Sequence, residues 1–182
     1  MRFLPSTMTP RELRARYPYQ FVRPHIELSF YKGWMSLFAQ MCADIDAELG
    51  PNKRGLRWVQ LKEKFGAARW YSQMDPLLEP NEDAEDQTHL SIAEVNERLR
   101  RLADPDELAL RERIQALRLE AEARTQMTCI VCGEAGEVDR GTGYHLVVCP
   151  EHARQRRRGD MESAWFSDEE DGLDEGAPCS AT

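Results

Sequence analysis

Hydrophobic residues recur at helical spacing in the first part of the chain. Between Gly33 and Leu49, apolar positions three or four residues apart form one stripe, made of Trp34, Leu37, Phe38, Met41, Cys42, Ile45 and Leu49. Gly50 and Pro51 then end the pattern. Upstream, Thr9 and Glu12 have the spacing of a capping box, with proline between them at the first helical position. The pattern therefore predicts a short helix followed by a longer amphipathic one.

The period changes from helical to alternating after residue 55. Val59 and Leu61 fall on one face of the alternation, and Trp58 and Gln60 fall on the other. The pattern predicts a strand at Leu56–Lys62, a loop at Glu63–Gly66 whose glycine adopts positive φ, and a second strand at Ala67–Ser72. A strand within residues 20–30 would extend this hairpin, so we expect a small antiparallel sheet.

Helical periodicity returns after an acidic stretch with two prolines at residues 75–89, which is typical of a linker. The pattern predicts a helical hairpin over residues 90–126. We expect the first helix to bury Ile92, Val95, Leu99 and Leu102, and the second to bury Leu110, Ile114, Leu117 and Ala121.

Three cysteines and two histidines cluster within residues 128–153. Cys129-x2-Cys132 is followed, after sixteen intervening residues, by Cys149-x2-His152, a four-ligand pattern typical of zinc. Gly133 allows the tight turn of a zinc knuckle, and residues 146–148 form an apolar strand before a helix that begins at Pro150. The order of knuckle, strand and helix predicts a treble-clef or zinc-ribbon module.

His145 is the alternative fourth ligand, because it gives an acceptable Cys-x2-Cys-x12-His-x3-Cys spacing. In a strand, however, it would lie about 13 Å from Cys149, whereas Cys149 and His152 converge on one helical turn. We therefore favour His152 and predict one structural zinc ion, since four protein ligands close the coordination sphere. No catalytic residues are predicted. The sequence has no phosphate-binding glycine loop, no nucleophile elbow and no His-Glu-x-x-His motif.

Charge is distributed unevenly along a chain of net charge −8. Residues 1–74 carry 12 Lys/Arg against 6 Asp/Glu and most of the aromatic residues, whereas residues 159–182 carry 8 acidic residues and no basic one. Trp165 and Phe166 lie in that acidic tail, which is typical of a disordered segment that docks onto a basic partner. The basic run Arg154–Arg158 allows either phosphate contacts or stabilisation of a helix carboxyl terminus.

Several strings of residues resemble an uncharacterised family of small bacterial and phage proteins. They are Gly33-Trp34, "QLKEKFGAARWY" at residues 60–71, "AEARTQMTCIVCGEAG" at residues 121–136 and "VVCPEH" at residues 147–152. In that family a Lys-Glu-Lys-Phe-Gly hairpin precedes a helix that leads into a zinc knuckle. The resemblance implies the same zinc ligands and no particular activity.

These observations predict an α+β protein with five segments: a basic, aromatic-rich part (1–74), an acidic linker (75–89), a helical hairpin (90–126), a zinc module (127–158) and an acidic tail (159–182). No apolar run is long enough to span a membrane, and Pro5 and polar residues interrupt any signal-like apolar stretch in the first residues, so we expect a cytoplasmic protein without a membrane partner. Thiols stay reduced there, so the clustered cysteines indicate metal rather than disulfides.

The sequence favours a non-enzymatic protein that neutralises or escorts a macromolecule, as immunity proteins, antitoxins and phage-encoded inhibitors do. We expect a basic protein partner and no small-molecule substrate. The candidate contacts are Lys62, Lys64, Phe65, Trp165, Phe166, Asp168, Glu169, Glu170 and Asp171. The alternative is a nucleic-acid-binding or regulatory zinc protein whose acidic tail is autoinhibitory.

Overall fold

A computed structural model describes residues 8–22, 26–53, 55–74, 91–102, 104–141 and 143–161. The helices are α1 (Pro10–Arg16), α2 (Met35–Leu49), α3 (Ile92–Leu102), α4 (Pro105–Thr125) and α5 (Pro150–Arg158). The strands are β1 (Leu28–Ser29), β2 (Leu56–Lys64), β3 (Ala67–Met74), β4 (Glu137–Asp139) and β5 (Leu146–Val148). Short 3-10 turns lie at Pro18–Phe21 and Lys32–Trp34. The described chain is a mixed α/β protein with small sheets and several helices.

The first two helices form for the reasons that the sequence indicates. The Thr9 hydroxyl accepts a hydrogen bond from the Glu12 N–H at 3.2 Å, and the Glu12 carboxylate accepts one from the Thr9 N–H at 2.9 Å, which completes the capping box of α1. All seven residues of the predicted apolar stripe of α2 are buried. Gly50 follows α2 with a φ of 63°, so the predicted glycine stop is confirmed.

Strands β2 and β3 form the predicted antiparallel hairpin, but its loop is tighter than expected. Lys64 pairs with Ala67, so only Phe65 and Gly66 connect the two strands. Both residues have positive φ, 56° and 78°, as a type I′ turn requires.

A β-bulge in β2 overturns the predicted alternation. The register shifts between Trp58 and Gln60, so one extra residue enters the strand at Val59. The bulge turns Trp58 (0% exposed) to the same face as Leu61, whereas the strict alternation predicted opposite faces. Trp58 thereby reaches the aromatic centre of the core, 5.3 Å from the Phe38 ring.

Strand β1 lies beside β2 in parallel, with Leu28 opposite Leu61 and Ser29 opposite Lys62. The sheet order is β1-β2-β3, so the sheet is mixed rather than wholly antiparallel as predicted. The chain from β1 to β2 passes through α2, and a crossover of this kind is what joins parallel neighbours.

Side chains of α4 form hydrogen bonds with backbone groups at the open edge of β3. Thr125 Oγ1 accepts a hydrogen bond from the Ala68 N–H at 3.1 Å, and Glu122 Oε1 accepts one from the Trp70 N–H at 2.6 Å. Arg118 donates both to the Trp70 carbonyl at 3.2 Å and to Glu122 at 3.0 Å. The helix thus gives an edge strand hydrogen-bond partners that a neighbouring strand would otherwise supply.

Helix α4 buries its predicted face, but α3 does not. Leu110, Ile114 and Ala121 of α4 are buried and Leu117 packs partly against the core. In α3, Ile92, Val95 and Leu99 are 82%, 40% and 58% exposed, so their predicted burial is wrong. The buried face of α4 packs toward α2 and β3. The side chain of Leu102 lies outside the described ones.

One hydrophobic cluster connects the segments that the sequence separates. It contains side chains of α2 and of the hairpin, together with Ile130 and Val147 from the cysteine-rich segment. The predicted linker 75–89 and the tail beyond Met161 lie outside the described residues.

Candidate metal centre

A tight turn places Cys129 and Cys132. The Gly133 N–H donates to the Cys129 carbonyl at 3.0 Å, and the Cys129 N–H donates to the Glu134 carbonyl at 2.7 Å. Gly133 has a φ of 79°, a conformation that residues with a side chain rarely adopt. Cys129 is completely buried and Cys132 is exposed. The turn therefore brings the sulfur atoms of a buried and an exposed cysteine within 4.8 Å of each other.

The other two side chains come from the junction of β5 and α5. Leu146–Val148 is fully buried and leads directly to Cys149, which is the N-cap residue of α5. Pro150 occupies the first position of the helix, where its missing N–H is not needed. His152 therefore lies in the first helical turn, on the same side as Cys149.

The four side chains converge as the sequence predicted. The sulfur atoms of Cys129, Cys132 and Cys149 and a ring nitrogen of His152 lie within 4.8 Å of one another and could hold a metal ion. His152 Nδ1 lies 3.0 Å from Cys149 Sγ and 3.5 Å from Cys129 Sγ. Cys132 Sγ lies 3.9 Å from Cys149 Sγ. His145, the alternative ligand, is exposed and lies outside the cluster.

The thiols of the cluster differ in acidity. Burial raises the pKa of Cys132 to about 11, and the neighbouring Cys129 and Cys149 sulfurs add to this shift. Burial acts in the same direction on Cys149, but backbone and side-chain hydrogen bonds from His152 outweigh it and lower the Cys149 pKa to about 7. Crowded thiolates repel one another, so a donor set of this kind suits a cation that offsets their charge.

The cysteine turn docks directly onto the start of α2. The Gly33 N–H donates to the Ile130 carbonyl at 2.9 Å, and Trp34 Nε1 donates to the Thr128 carbonyl at 3.0 Å. A Cβ atom on Gly33 would lie 2.2 Å from the Cys129 carbonyl oxygen, so only glycine allows this approach. The sequence singled out Gly33-Trp34 but did not indicate what it contacts.

The arginines of the basic run after the cluster have different roles. Arg156 is buried and donates to the carbonyls of Asp139 and Tyr144, so it holds the β4–β5 segment against α5. Arg154 pairs with Glu151, and Arg158 pairs with Asp160 at 2.9 Å. The sequence did not distinguish the buried arginine of this run from its neighbours.

The predicted partner-binding residues fall into two groups. Lys62 and Lys64 lie on β2, and Phe65 lies at the hairpin tip with 71% of its surface exposed. The tail residues Trp165, Phe166, Asp168, Glu169, Glu170 and Asp171 lie outside the described residues.

Within the described part of the chain, no helix is both long and apolar enough to cross a membrane. Comparisons with protein-family models, with curated proteins and with solved structures found no match for this chain. The family resemblance of the hairpin and cysteine motifs therefore stays a prediction.

Proposed function

We propose that the Cys3His cluster binds one zinc ion with a structural role. In a tetrahedral site with Zn–S bonds of about 2.3 Å and Zn–N bonds of about 2.0 Å, sulfur atoms lie about 3.8 Å apart and sulfur–nitrogen pairs about 3.5 Å apart. The separation of 3.9 Å between Cys132 and Cys149 and that of 3.5 Å between Cys129 and His152 support this assignment, whereas Cys149 and His152, at 3.0 Å, would have to move apart by about 0.5 Å around the ion. Four protein donors leave no open position for a substrate.

The arrangement around the cluster supports a treble-clef-like module: a cysteine turn, a β-hairpin made of β4 and β5, and the helix α5 that carries the last ligand. Zinc in such a module supplies free energy of folding, on the order of 10 kcal/mol. Thiolate ligands stay reduced in the cytoplasm, so a cytoplasmic location is part of the same proposal.

Metal analysis tests the zinc assignment. The purified chain is expected to carry one zinc per molecule by elemental analysis and native mass spectrometry, and Cys149→Ser is expected to lose it. His145→Ala is the matched control, and it should keep the zinc. His152→Ala should lose the zinc as well, and zinc that is retained by His152→Ala but lost by His145→Ala would transfer the fourth ligand to His145, because Cys149 is a ligand in both spacings.

We further propose that the protein is a non-enzymatic binding protein that neutralises or escorts a macromolecule, in the manner of an immunity protein, antitoxin or phage-encoded inhibitor. The observation that carries this proposal is a cluster of four candidate metal donors, two of them in the hydrophobic core, together with a hairpin whose tip is exposed. A site of this kind stabilises a surface and does not transform a substrate. The proposed partner is a basic protein, contacted through the acidic tail with Trp165 and Phe166.

An affinity pull-down from the native host tests this partner. The full-length chain is compared with a Trp165→Ala/Phe166→Ala variant, and Tyr144→Ala, which removes an exposed ring from the folded part, is the control. Docking through the tail is supported if the tail variant fails to capture one dominant protein that the full-length chain and the Tyr144→Ala control both capture. An unchanged set of captured proteins contradicts it.

Nucleic-acid binding is the second candidate function, and one observation favours it. The described hairpin presents lysines and exposed aromatic rings on the same side, which is the composition of nucleic-acid-binding surfaces. In this case the acidic tail would be autoinhibitory. Replacing Asp168, Glu169, Glu170 and Asp171 by their amides in the full-length chain should then strengthen binding, most strongly at low salt.

A further inference from the structure

The hairpin tip combines backbone strain with an exposed aromatic ring. Among the described residues, Phe65 is the only non-glycine residue with positive φ. The first position of a type I′ turn favours Asn, Asp or Gly, and a bulky side chain there is costly. The Phe65 ring is 71% exposed, so burial does not compensate for this cost. Strained residues of this kind cluster at functional sites, which points to a role outside folding.

The side chains next to Phe65 form a basic face on the hairpin. In the observed register, Gln60 lies opposite Tyr71, Lys62 opposite Arg69 and Lys64 opposite Ala67. Cross-strand partners share one side of a sheet, and the side chains of the core lie on the other. Gln60, Lys64 and Tyr71 are exposed, and Lys62 and Arg69 are half-buried. We call the surface made of these five residues and Phe65 the hairpin face; its members are Gln60, Lys62, Lys64, Phe65, Arg69 and Tyr71.

The cations of the hairpin face lie between its two rings, Tyr71 at one end and Phe65 at the tip. The Lys62 ammonium lies 5.9 Å from the centre of the Tyr71 ring, and the Lys64 ammonium lies 5.4 Å from the centre of the Phe65 ring. Each ring therefore has a positive charge beside it, and each lysine is held near a surface that can stack.

Two carboxylates border the hairpin face, and both oxygen atoms of one of them accept hydrogen bonds. Glu63 accepts hydrogen bonds from the Gly66 N–H at 2.6 Å and from the Tyr144 hydroxyl at 3.1 Å, on the core side of the turn. Glu27 lines a groove of about 410 Å³ with Gln60 and Lys62. Glu27 therefore places a negative charge at the edge of the hairpin face.

We propose that the hairpin face binds single-stranded nucleic acid. Tyr71 and Phe65 stack on unpaired bases, and Lys62, Lys64 and Arg69 contact the phosphates between them. Exposed rings beside cations suit this ligand, because every base offers a flat face and every linkage a negative charge. A duplex offers only phosphates to such a surface, and an acidic peptide offers flat groups only where it carries aromatic residues, as the tail does at Trp165 and Phe166. The proposal deepens the second candidate function and rests on it.

Fluorescence anisotropy with a labelled oligothymidylate of about 16 nucleotides, the upper end of single-strand site sizes, tests the proposal at low salt. The full-length chain is expected to bind it more tightly than a duplex of the same length. Tyr71→Ala should weaken binding by at least about fivefold, the effect of one lost stacking contact, whereas Tyr71→Phe should retain it. Lys62→Gln/Lys64→Gln should lower the slope of log affinity against log salt by about 1.4.

The matched control for the double lysine variant is Arg157→Gln/Arg158→Gln, which removes the same charge from the end of α5. The proposal requires that this control retains most of the affinity. Equal weakening by both double variants overturns the hairpin face as the binding site but leaves the second candidate function intact. Glu27→Gln provides the opposite test, because removing this carboxylate should strengthen binding.

Autoinhibition by the tail is tested separately with the full-length chain in which Asp168, Glu169, Glu170 and Asp171 are amides. No binding by either this variant or the unmodified chain overturns both the proposal and the second candidate function. Phe65→Asn keeps a residue that accepts positive φ but removes the ring, so it should lower affinity while the fold stays intact. Unchanged affinity in both Phe65→Asn and Tyr71→Ala overturns the stacking.

Discussion

Replacing Gly33 by alanine tests the contact between α2 and the cysteine turn. The added Cβ would lie 2.2 Å from the Cys129 carbonyl oxygen and 2.7 Å from the Ile130 carbonyl carbon. Both neighbours are backbone atoms, so no side-chain rotation relieves the clash. Because real Cβ atoms rarely approach closer than 3.0 Å, the turn must move away by about 0.8 Å.

The cost of Gly33→Ala follows from the contacts that this movement disturbs. The hydrogen bonds of Gly33 N–H with Ile130 and of Trp34 Nε1 with Thr128 are each worth about 1 kcal/mol. Overpacking itself costs about 1–3 kcal/mol. We therefore expect the free energy of unfolding to fall by about 3 kcal/mol, and the melting temperature of a chain of this size to fall by roughly 6–12 °C.

Urea and thermal unfolding of the zinc-loaded chain, followed by tryptophan fluorescence and calorimetry, measure this loss. Ser36→Ala, on the exposed side of α2, is the control and should leave the stability almost unchanged. The metal content of the folded Gly33→Ala variant should match that of the wild type, because none of the four proposed ligands is altered. Wild-type stability in Gly33→Ala would show that the close approach of the two segments is not needed, and would refute the reasoning.

Three further changes test other contacts. Removing zinc with a chelator is expected to lower the melting temperature and to expose Ile130 and Val147, as increased hydrogen exchange of their amides would show; equal protection with and without metal contradicts a structural role. Phe65→Asn should raise the free energy of unfolding by about 1 kcal/mol, because asparagine tolerates positive φ; a denaturation midpoint below that of the wild type would refute strain at this turn. Glu122→Ala should cost about 1–3 kcal/mol, since it leaves the buried Trp70 N–H without its acceptor; Glu120→Ala, on the exposed side of α4, is the control.

Regular periodicity and short-range motifs were enough to predict several elements. The stripe of α2, the capping box of α1 and the hairpin depend on residues close in sequence, and these patterns have a direct physical cause. The four side chains of the metal cluster were also predicted, because the Cys-x2-Cys and Cys-x2-His spacings each fit one local turn.

Features that depend on distant contacts were not predictable in this way. The bulge at Val59 turns Trp58 inward, and only the packing of the ring against Phe38 shows why this is favourable. The apolar face of α3 has the same pattern as that of a buried helix, yet Ile92, Val95 and Leu99 are exposed. The role of Gly33 depends on a carbonyl that lies almost one hundred residues away in the chain.

The hydrogen bonds from α4 to β3 restrict how another protein can join the main sheet. Partners that add a β-strand need a row of free backbone groups, and Thr125, Glu122 and Arg118 already engage those of Ala68 and Trp70. The opposite edge is β1, whose two residues are too few to guide a strand. At these described positions the sheet offers little free backbone for edge-to-edge self-association, and a partner that approaches there meets side chains.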